Sequence, residues 1–321
     1  MSLHPDAISA AEALDLIRSE GSAFFGLMAR AGAMREAHKG RQVVLCGILN
    51  AKSGRCAEDC SFCAQSAHHD TGAPVYPLVD ADAMVARARE VEAMGAREYS
   101  LVTSGTTIRS EAELDTICEA VSRLRDDGRL WRCASLGNLS AEQLERLAAA
   151  GLTNYHHNLE TARSFFPQVC STHAYDDDVA TVRRARAQGL KVCCGGIFGL
   201  GESPEQRVEL AETLRELDVD SVPLNFLNPI EGTPLHRQQQ LSPRDCLRII
   251  AVYRLMMPNT DIYVCGGREV NLRQLQSWIF MAGANGMMVG NYLTTSGRDH
   301  RLDLEMLADL GLEVMPPGGS P

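Results

Sequence analysis

Val43-Val-Leu-Cys-Gly-Ile-Leu-Asn50 is an apolar, strand-like run, and six residues further on stands Cys56-Ala-Glu-Asp-Cys60-Ser-Phe-Cys63. A buried strand that delivers a polar, cysteine-dense loop directs the reading of everything else. Thiolates are soft ligands, and three converging from one loop suit zinc or an iron–sulfur cluster. A structural zinc site wants a fourth Cys or His nearby, which His68 or His69 offers. The other reading is a [4Fe-4S] cluster on Cys56, Cys60 and Cys63, its fourth iron left to a ligand that is not protein. Three unrelated structural cysteines fit least well, because a loop so rich in thiols is reactive and needs a reason to exist.

Outward from this stretch the strand-like character recurs. Apolar runs lie at 43–50, 98–105, 130–137, 153–160, 191–200, 221–228, 262–269 and 286–293. Helix signals separate them. Ser140 with Gln143 reads as a capping box closed by Gly151. Ser203-Pro204 with Gln206, and Ser242-Pro243 with Asp245, place a cap and a proline at the first helical turn. Asp80 and Ser110 open two more helices.

Eight strands alternating with helices predict an α/β fold with a parallel sheet. The span 43–293 is close to the roughly 250 residues of a (β/α)8 TIM-type barrel. Before it, helical spacing over 7–17 and 22–37 predicts an N-terminal helical extension over 1–40, outside the barrel proper. The barrel is expected over 41–312, with a last helix at 302–310 stopped by Gly311, and 313–321 as a flexible C-terminal tail.

Such a barrel carries its chemistry at the C-terminal ends of the strands. The cysteine loop follows the first strand, Asn158 and Glu160 end the fourth, Gly199-Leu-Gly-Glu202 ends the fifth, and Asn225 and Asn228 lie toward the end of the sixth. All these polar residues therefore fall on one rim. A second pattern lies beneath it. Cys46, Cys133, Cys193 and Cys265 stand in the first, third, fifth and seventh strands. Alternate strands contribute to one interior layer, and every second side chain shares a face, so these four predict a layer of inward thiols. Cys193 and Cys194 are neighbours, and only one can face inward. Cys118 and Cys246 fall on helices and read as small hydrophobes. Cys170, in the loop after the fourth strand, stays open between an alternative ligand and an entry-site thiol.

Composition narrows the class. With 45% hydrophobic and 22% charged residues in 321, the chain has ample core. A net charge of -10 argues against a nucleic-acid surface. No apolar run reaches the roughly 20 residues of a membrane helix, so no membrane partner is expected. The N-terminus lacks a secretory pattern. Eleven cysteines, an odd count, do not suit a disulfide scaffold. A reducing cytoplasm fits better.

Further motifs follow the cysteine loop in order. They are Ala64-Gln65-Ser66-Ala67-His68, Tyr155-His-His-Asn158-Leu-Glu160-Thr161, Gly195-Gly-Ile-Phe-Gly-Leu-Gly-Glu202, Val222-Pro-Leu-Asn225-Phe-Leu and Gly266-Gly-Arg268-Glu269. With the lead-in Asn50-Ala-Lys-Ser-Gly-Arg-Cys56, they make the chain resemble the biotin synthase family of radical S-adenosylmethionine (SAM) enzymes from about 43 to 310. The resemblance implies the closed barrel, a [4Fe-4S] cluster, SAM, and an auxiliary iron–sulfur cluster that gives sulfur to dethiobiotin. It also implies a flavodoxin- or ferredoxin-like electron donor and a homodimer.

By the same resemblance, Phe62, Ser104, Gly105, Glu160, Ile197 and Gly199 are the SAM contacts, and Asn158 and Asn225 meet the ureido ring of the substrate. Cys133 and Cys193 match two ligand positions of the family's auxiliary cluster. The other positions depart from it. Ser100 stands where a third cysteine is usual, Tyr263 where an arginine ligand is, and Glu98 where another arginine is. Cys46 and Cys265 replace serines, so the auxiliary cluster is expected to be [2Fe-2S] or larger on a changed ligand set. Asp178 occupies the place of an arginine that meets the SAM carboxylate, with Arg183 as a substitute only under a different local backbone. Arg268-Glu269 reads as a structural pair, His156 and His157 as packing or supporting residues, and Lys52 as a contact for the cysteine loop or the substrate carboxylate. A radical SAM mutase or hydrogenase-maturation enzyme, and an electron carrier or metal store, are the competing readings.

Overall fold

The computed structural model describes residues 4–316. A parallel sheet runs through β1 (Gln42–Lys52), β2 (Glu98–Thr103), β3 (Trp131–Ser135), β4 (Asn154–His156), β5 (Lys191–Cys193), β6 (Gly196–Phe198), β7 (Ser221–Phe226), β8 (Asp261–Val264) and β9 (Gly286–Met288). β9 pairs back onto β1 through Val44 with Gly286 and Cys46 with Met288, which closes a barrel. β5 and β6 are two halves of one stave, so the described residues give eight staves, the closed (β/α)8 fold expected.

Helices α1 (Ala10–Ile17) and α2 (Gly21–Lys39) precede the barrel. It is covered by α3 (Ala81–Ala93), α4 (Glu111–Asp127), α5 (Ala141–Ala150), α6 (Tyr175–Ala187), α7 (Pro204–Glu216) and α8 (Pro243–Met256). Two short helices, α9 (Arg268–Leu272) and α10 (Trp278–Met281), and then α11 (His300–Asp309) follow. Their starts obey local chemistry. Ser140 Oγ accepts the Gln143 N–H at 3.2 Å while Gln143 Oε1 accepts the Ser140 N–H at 3.0 Å. The same reciprocal cap, with proline in the first turn, opens α7 and α8. α1 starts at Ala10 rather than at 7, because Ser9 supplies its cap through the Glu12 N–H.

The strands alternate. Leu45, Leu101, Ala134, Val192 and Val222 are buried outward against the helices. Their neighbours Cys46, Ser100, Cys133 and Cys193 turn into the barrel. Most of the apolar runs end earlier than their hydrophobicity predicts, and in three of them a glycine marks the break. The fifth breaks at Gly195, where a Cβ would lie 2.1 Å from the Pro223 carbonyl oxygen. The seventh stops at Val264, and Gly267, at φ 72, turns the chain into α9. The eighth stops at Met288, and Gly290 turns at φ 78.

α1 and α2 lie against α8. The Ile8 N–H reaches the Leu255 carbonyl at 3.0 Å, and Arg248 Nε reaches that of Ser19 at 2.8 Å. With this cover, every residue of α8 from Cys246 to Met256 is buried. At the far end, β10 (Glu313–Val314) pairs with Gln42 and Val43, so the segment read as a flexible tail begins as a strand. Residues 317–321 of that tail, and the first three of the N-terminal extension, lie outside the described residues.

Candidate active site

The cysteine loop is shaped by backbone and by one glutamine. Gly54 at φ 79 and Arg55 at φ 53 turn the chain out of β1. The Cys56 N–H bonds the Gln65 carbonyl at 3.0 Å, and the Ala67 N–H bonds that of Cys56 at 2.7 Å. Gln65 Oε1 accepts from Ser53 Oγ at 2.9 Å and from Asn50 Nδ2 at 3.3 Å. The Cys63 N–H closes a tight turn on the Cys60 carbonyl at 2.9 Å. His68 and His69 bond the backbone oxygens of Ala57 and Cys63, which places them as loop braces beside the thiols.

Below the loop opens a cavity of about 330 Å³ inside the barrel. Cys63, Phe62, Asn158, Glu160, Ile197 and Asn225 line its upper part, and Cys46, Cys133, Cys193 and Cys265 all line it deeper down. The predicted thiol layer is therefore present. Cys193 faces in, while Cys194 is buried on the helix side among apolar residues. Cys170 is not in the layer; its Sγ lies 3.7 Å from that of Cys60 at the mouth. Cys265 sits one residue past β8, held by its N–H on the Leu224 carbonyl at 2.9 Å.

All eleven cysteines are free. Burial pushes the thiols of Cys46, Cys133 and Cys193 far up, and that of Cys265 to about 12. Four desolvated thiols share one cavity, and bound iron would supply the positive charge that draws off their protons. Glu98, buried by the same layer, is raised to about 7 by desolvation. His156 Nδ1 lies 3.2 Å from Cys193 Sγ, and burial lowers its pKa to about 4, so a neutral imidazole meets the layer.

Higher up, Asn158 Oδ1 accepts the Gly195 N–H at 3.1 Å and its Nδ2 donates to Glu160 at 3.3 Å. Asn225 Oδ1 accepts the Gly266 N–H at 2.8 Å, and its Nδ2 donates to the Gly196 carbonyl at 3.2 Å. Both amides are thus fixed by neighbours while one N–H and one lone pair of each remain. Glu160 has φ 62, and its carboxyl is raised to about 8 by burial and by nearby Asp178.

Three predicted contacts do not line the cavity. Ser104 Oγ donates to the Gly54 carbonyl at 2.8 Å, which makes it a brace for the cysteine loop. Gly105 continues that turn at φ 116. The Gly199 N–H is taken by the Glu202 carboxylate at 2.9 Å, which gathers the N–H groups of residues 199–201. Lys52 is also elsewhere, bonded to Glu113 at 2.7 Å. Arg268 pairs chiefly with Asp303 at 2.8 Å, and only at 3.6 Å with Glu269.

Sequence reasoning missed a network behind the mouth. Asp178 contacts His157 at 2.9 Å and His173 at 3.2 Å, and His173 contacts Glu58 at 2.7 Å. Burial works against the Asp178 charge, but hydrogen bonds from the two histidines outweigh it and hold its carboxyl below the usual range. Asp178 foremost, with Cys170 and Glu58, raises His173 to about 11. Arg183 is exposed on α6 and does not reach this network. One signal was available: alternation makes His156 an inward residue and His157 an outward one, so His157 had to find its partner among the helices.

Comparison with known proteins agrees with this geometry. Residues 51–214 match the Radical SAM superfamily model, and 223–313 match the Biotin and Thiamin Synthesis associated domain. The biotin synthase of Trichlorobacter lovleyi is 58% identical over 308 residues, covering 96% of this chain and 92% of that one. That of Geotalea uraniireducens is 59% identical over 312 residues, covering 97% and 95%. Among solved structures, methylornithine synthase superposes with a TM-score of 0.83 at 20% identity, covering 96% of this chain and 94% of that one. The FeFe-hydrogenase maturase HydG from Carboxydothermus hydrogenoformans gives 0.82 at 18%, covering 96% and 76%. These two share the barrel; identity over nearly the whole length is shared with the former pair. No described helix is long and apolar enough to cross a membrane. The family that owns both the cysteine loop and the C-terminal domain, and to which this chain belongs, is that of the biotin synthases, radical SAM enzymes.

Proposed function

We propose that this chain makes biotin from dethiobiotin with two thiolate sites stacked in one barrel, Cys56, Cys60 and Cys63 at the mouth and Cys46, Cys133, Cys193 and Cys265 beneath. The observation that carries the reading is that Cys63 of the mouth loop and all four inner cysteines line a single cavity. When bound, the [4Fe-4S] cluster supplies the electron that splits SAM into methionine and a 5′-deoxyadenosyl radical, and the auxiliary iron–sulfur cluster supplies the sulfur atom.

The residues of the chain do the positioning. Phe62, Glu160 and Ile197 flank the SAM end of the cavity, Glu160 toward the ribose. Ser104, Gly105 and Gly199 act behind that wall, holding the loop turn and the segment after β6. Asn158 and Asn225 offer the donor and acceptor that a cyclic urea needs. Phe226, Leu227 and Ile230 line the same cavity and keep water from a reactive carbon radical. His156, neutral beside Cys193, orients that thiolate without carrying charge into the layer. The enzyme works in the cytoplasm, as a homodimer fed by a flavodoxin- or ferredoxin-like donor.

Anaerobic turnover of iron-loaded enzyme with SAM, dethiobiotin and a reductant tests the reading. Biotin and 5′-deoxyadenosine form while protein-bound sulfide falls. 5′-Deoxyadenosine without biotin would instead select a radical SAM mutase or maturase.

A further inference from the structure

The lower end of a barrel of this type is normally a packed plug of branched apolar side chains. Here it is polar and hollow. A second cavity of about 300 Å³ opens at the N-terminal ends of the strands, lined by Trp131, Asn154, Lys191, Ser221, Asp261 and Tyr263. Tyr263 lines the upper cavity as well, so the two spaces share a wall. The roof of the lower cavity is in register with the thiol layer. Asn154 pairs with Cys133 and Ser221 with Cys193 along the sheet, and Tyr263 is two residues from Cys265. Asn154 Nδ2 bonds Glu98, which lines the upper cavity, at 3.3 Å. Asn154 is 6% exposed, and its Oδ1 has no hydrogen-bond partner. That oxygen is itself closed off from the cavity, so it marks unsatisfied polar packing between the two spaces, where a small shift of Asn154 admits a small polar species.

We infer that this lower cavity is a rear entrance through which hydrosulfide reaches the four inner cysteines, past Asn154 and Tyr263, while SAM and dethiobiotin fill the mouth. The inference rests on the thiolate-layer reading above, in which every turnover removes one sulfide. Refilling is a ligand step without redox change: hydrosulfide binds iron through sulfur, loses its proton to solvent, and remains as sulfide. The lip carries both signs, with Lys39 on Asp261 at 2.7 Å and Arg186 on Asp218 at 2.6 Å, so it admits a small polar species and offers nothing to an apolar chain.

The test uses enzyme that has completed one turnover and is held with SAM and dethiobiotin in excess. ³⁵S-labelled hydrosulfide is added, and label in acid-labile, protein-bound sulfide is followed with time. Lys191→Trp and Asn259→Trp narrow the passage at its half-buried and exposed lip, where folding is tolerant. Both variants are expected to form first-turnover biotin as the parent does, yet to take up label at least tenfold more slowly. Uptake at the parent rate in both variants overturns the inference, as does parent uptake that stops when the mouth is filled. Failure of the thiolate-layer reading is distinguishable, because protein-bound sulfide would then not fall during the first turnover.

Discussion

His173 Nδ1 lies 2.7 Å from a carboxylate oxygen of Glu58, and this contact ties the three-cysteine loop to the segment after β4. Thr106 reinforces it by donating to the other Glu58 oxygen at 2.5 Å. Replacing His173 by Ala removes the cation shared by Glu58 and Asp178, leaving Asp178 with His157 alone and Glu58 with hydroxyl donors alone, so unfolding stability should fall by about 3 kcal/mol. Denaturant titration measures this. Iron at Cys56, Cys60 and Cys63 should also pass faster to a chelator, whereas His173→Lys should restore part of the loss.

The two thiol sets should separate by mutation. Cys46→Ala or Cys265→Ala should lower iron and sulfide per chain and abolish biotin, while SAM cleavage to 5′-deoxyadenosine persists. Cys63→Ala should abolish both products. Elemental analysis and product chromatography read the difference, and equal iron content in parent and Cys265→Ala would remove that residue from the ligand set.

Glu160 should leave a pH signature in the iron-free chain. Its carboxyl is raised from 4.5 to about 8 by burial and Asp178, so the folded state holds a proton that the unfolded state has released. The favourable contribution is complete below about 4.5 and is lost as pH rises through about 8. Relative to Glu160→Gln, the parent should therefore lose several degrees of melting temperature across that window, with a constant gap above it. Parallel melting curves over the whole range would contradict the assignment.

Arg268 and Asp303 form a buried pair, with Arg268 1% and Asp303 0% exposed at the side chain. Arg298 adds a third member, 3.0 Å from Asp303. Asp303→Ala should cost about 3–5 kcal/mol, because two guanidinium groups lose their counter-charge. The folded fraction should keep its turnover per bound cluster, since Asp303 does not line the cavity.

Local chemistry made much of the molecule legible. Ser140, Ser203 and Ser242 announce their helices through contacts three residues away, so no tertiary knowledge is needed. The thiol layer was legible because alternation puts every second side chain of a stave inside the barrel, whereas the choice of Cys193 over its neighbour Cys194 came from the family resemblance. What escaped depends on distant backbone. The break at Gly195 exists because the Pro223 carbonyl passes so close, and nothing near 195 in the sequence reports that. Ser104 and Gly199 matched a familiar pattern, yet their polar groups are consumed by Gly54 and Glu202. Asp178 looked like a missing cation; its meaning is supplied by His157 and His173, one on the stave beside it and one in the loop between.

The cover that α1 and α2 place over α8 has a practical side. A shortened gene that began at the first strand would leave the flank of α8 that carries Leu255 beneath a removed roof, with Arg248 stripped of its backbone acceptor at Ser19. Such a product would present a sticky flank to its neighbours and gather into aggregates, even though every thiol and every stave of the catalytic shell were still encoded.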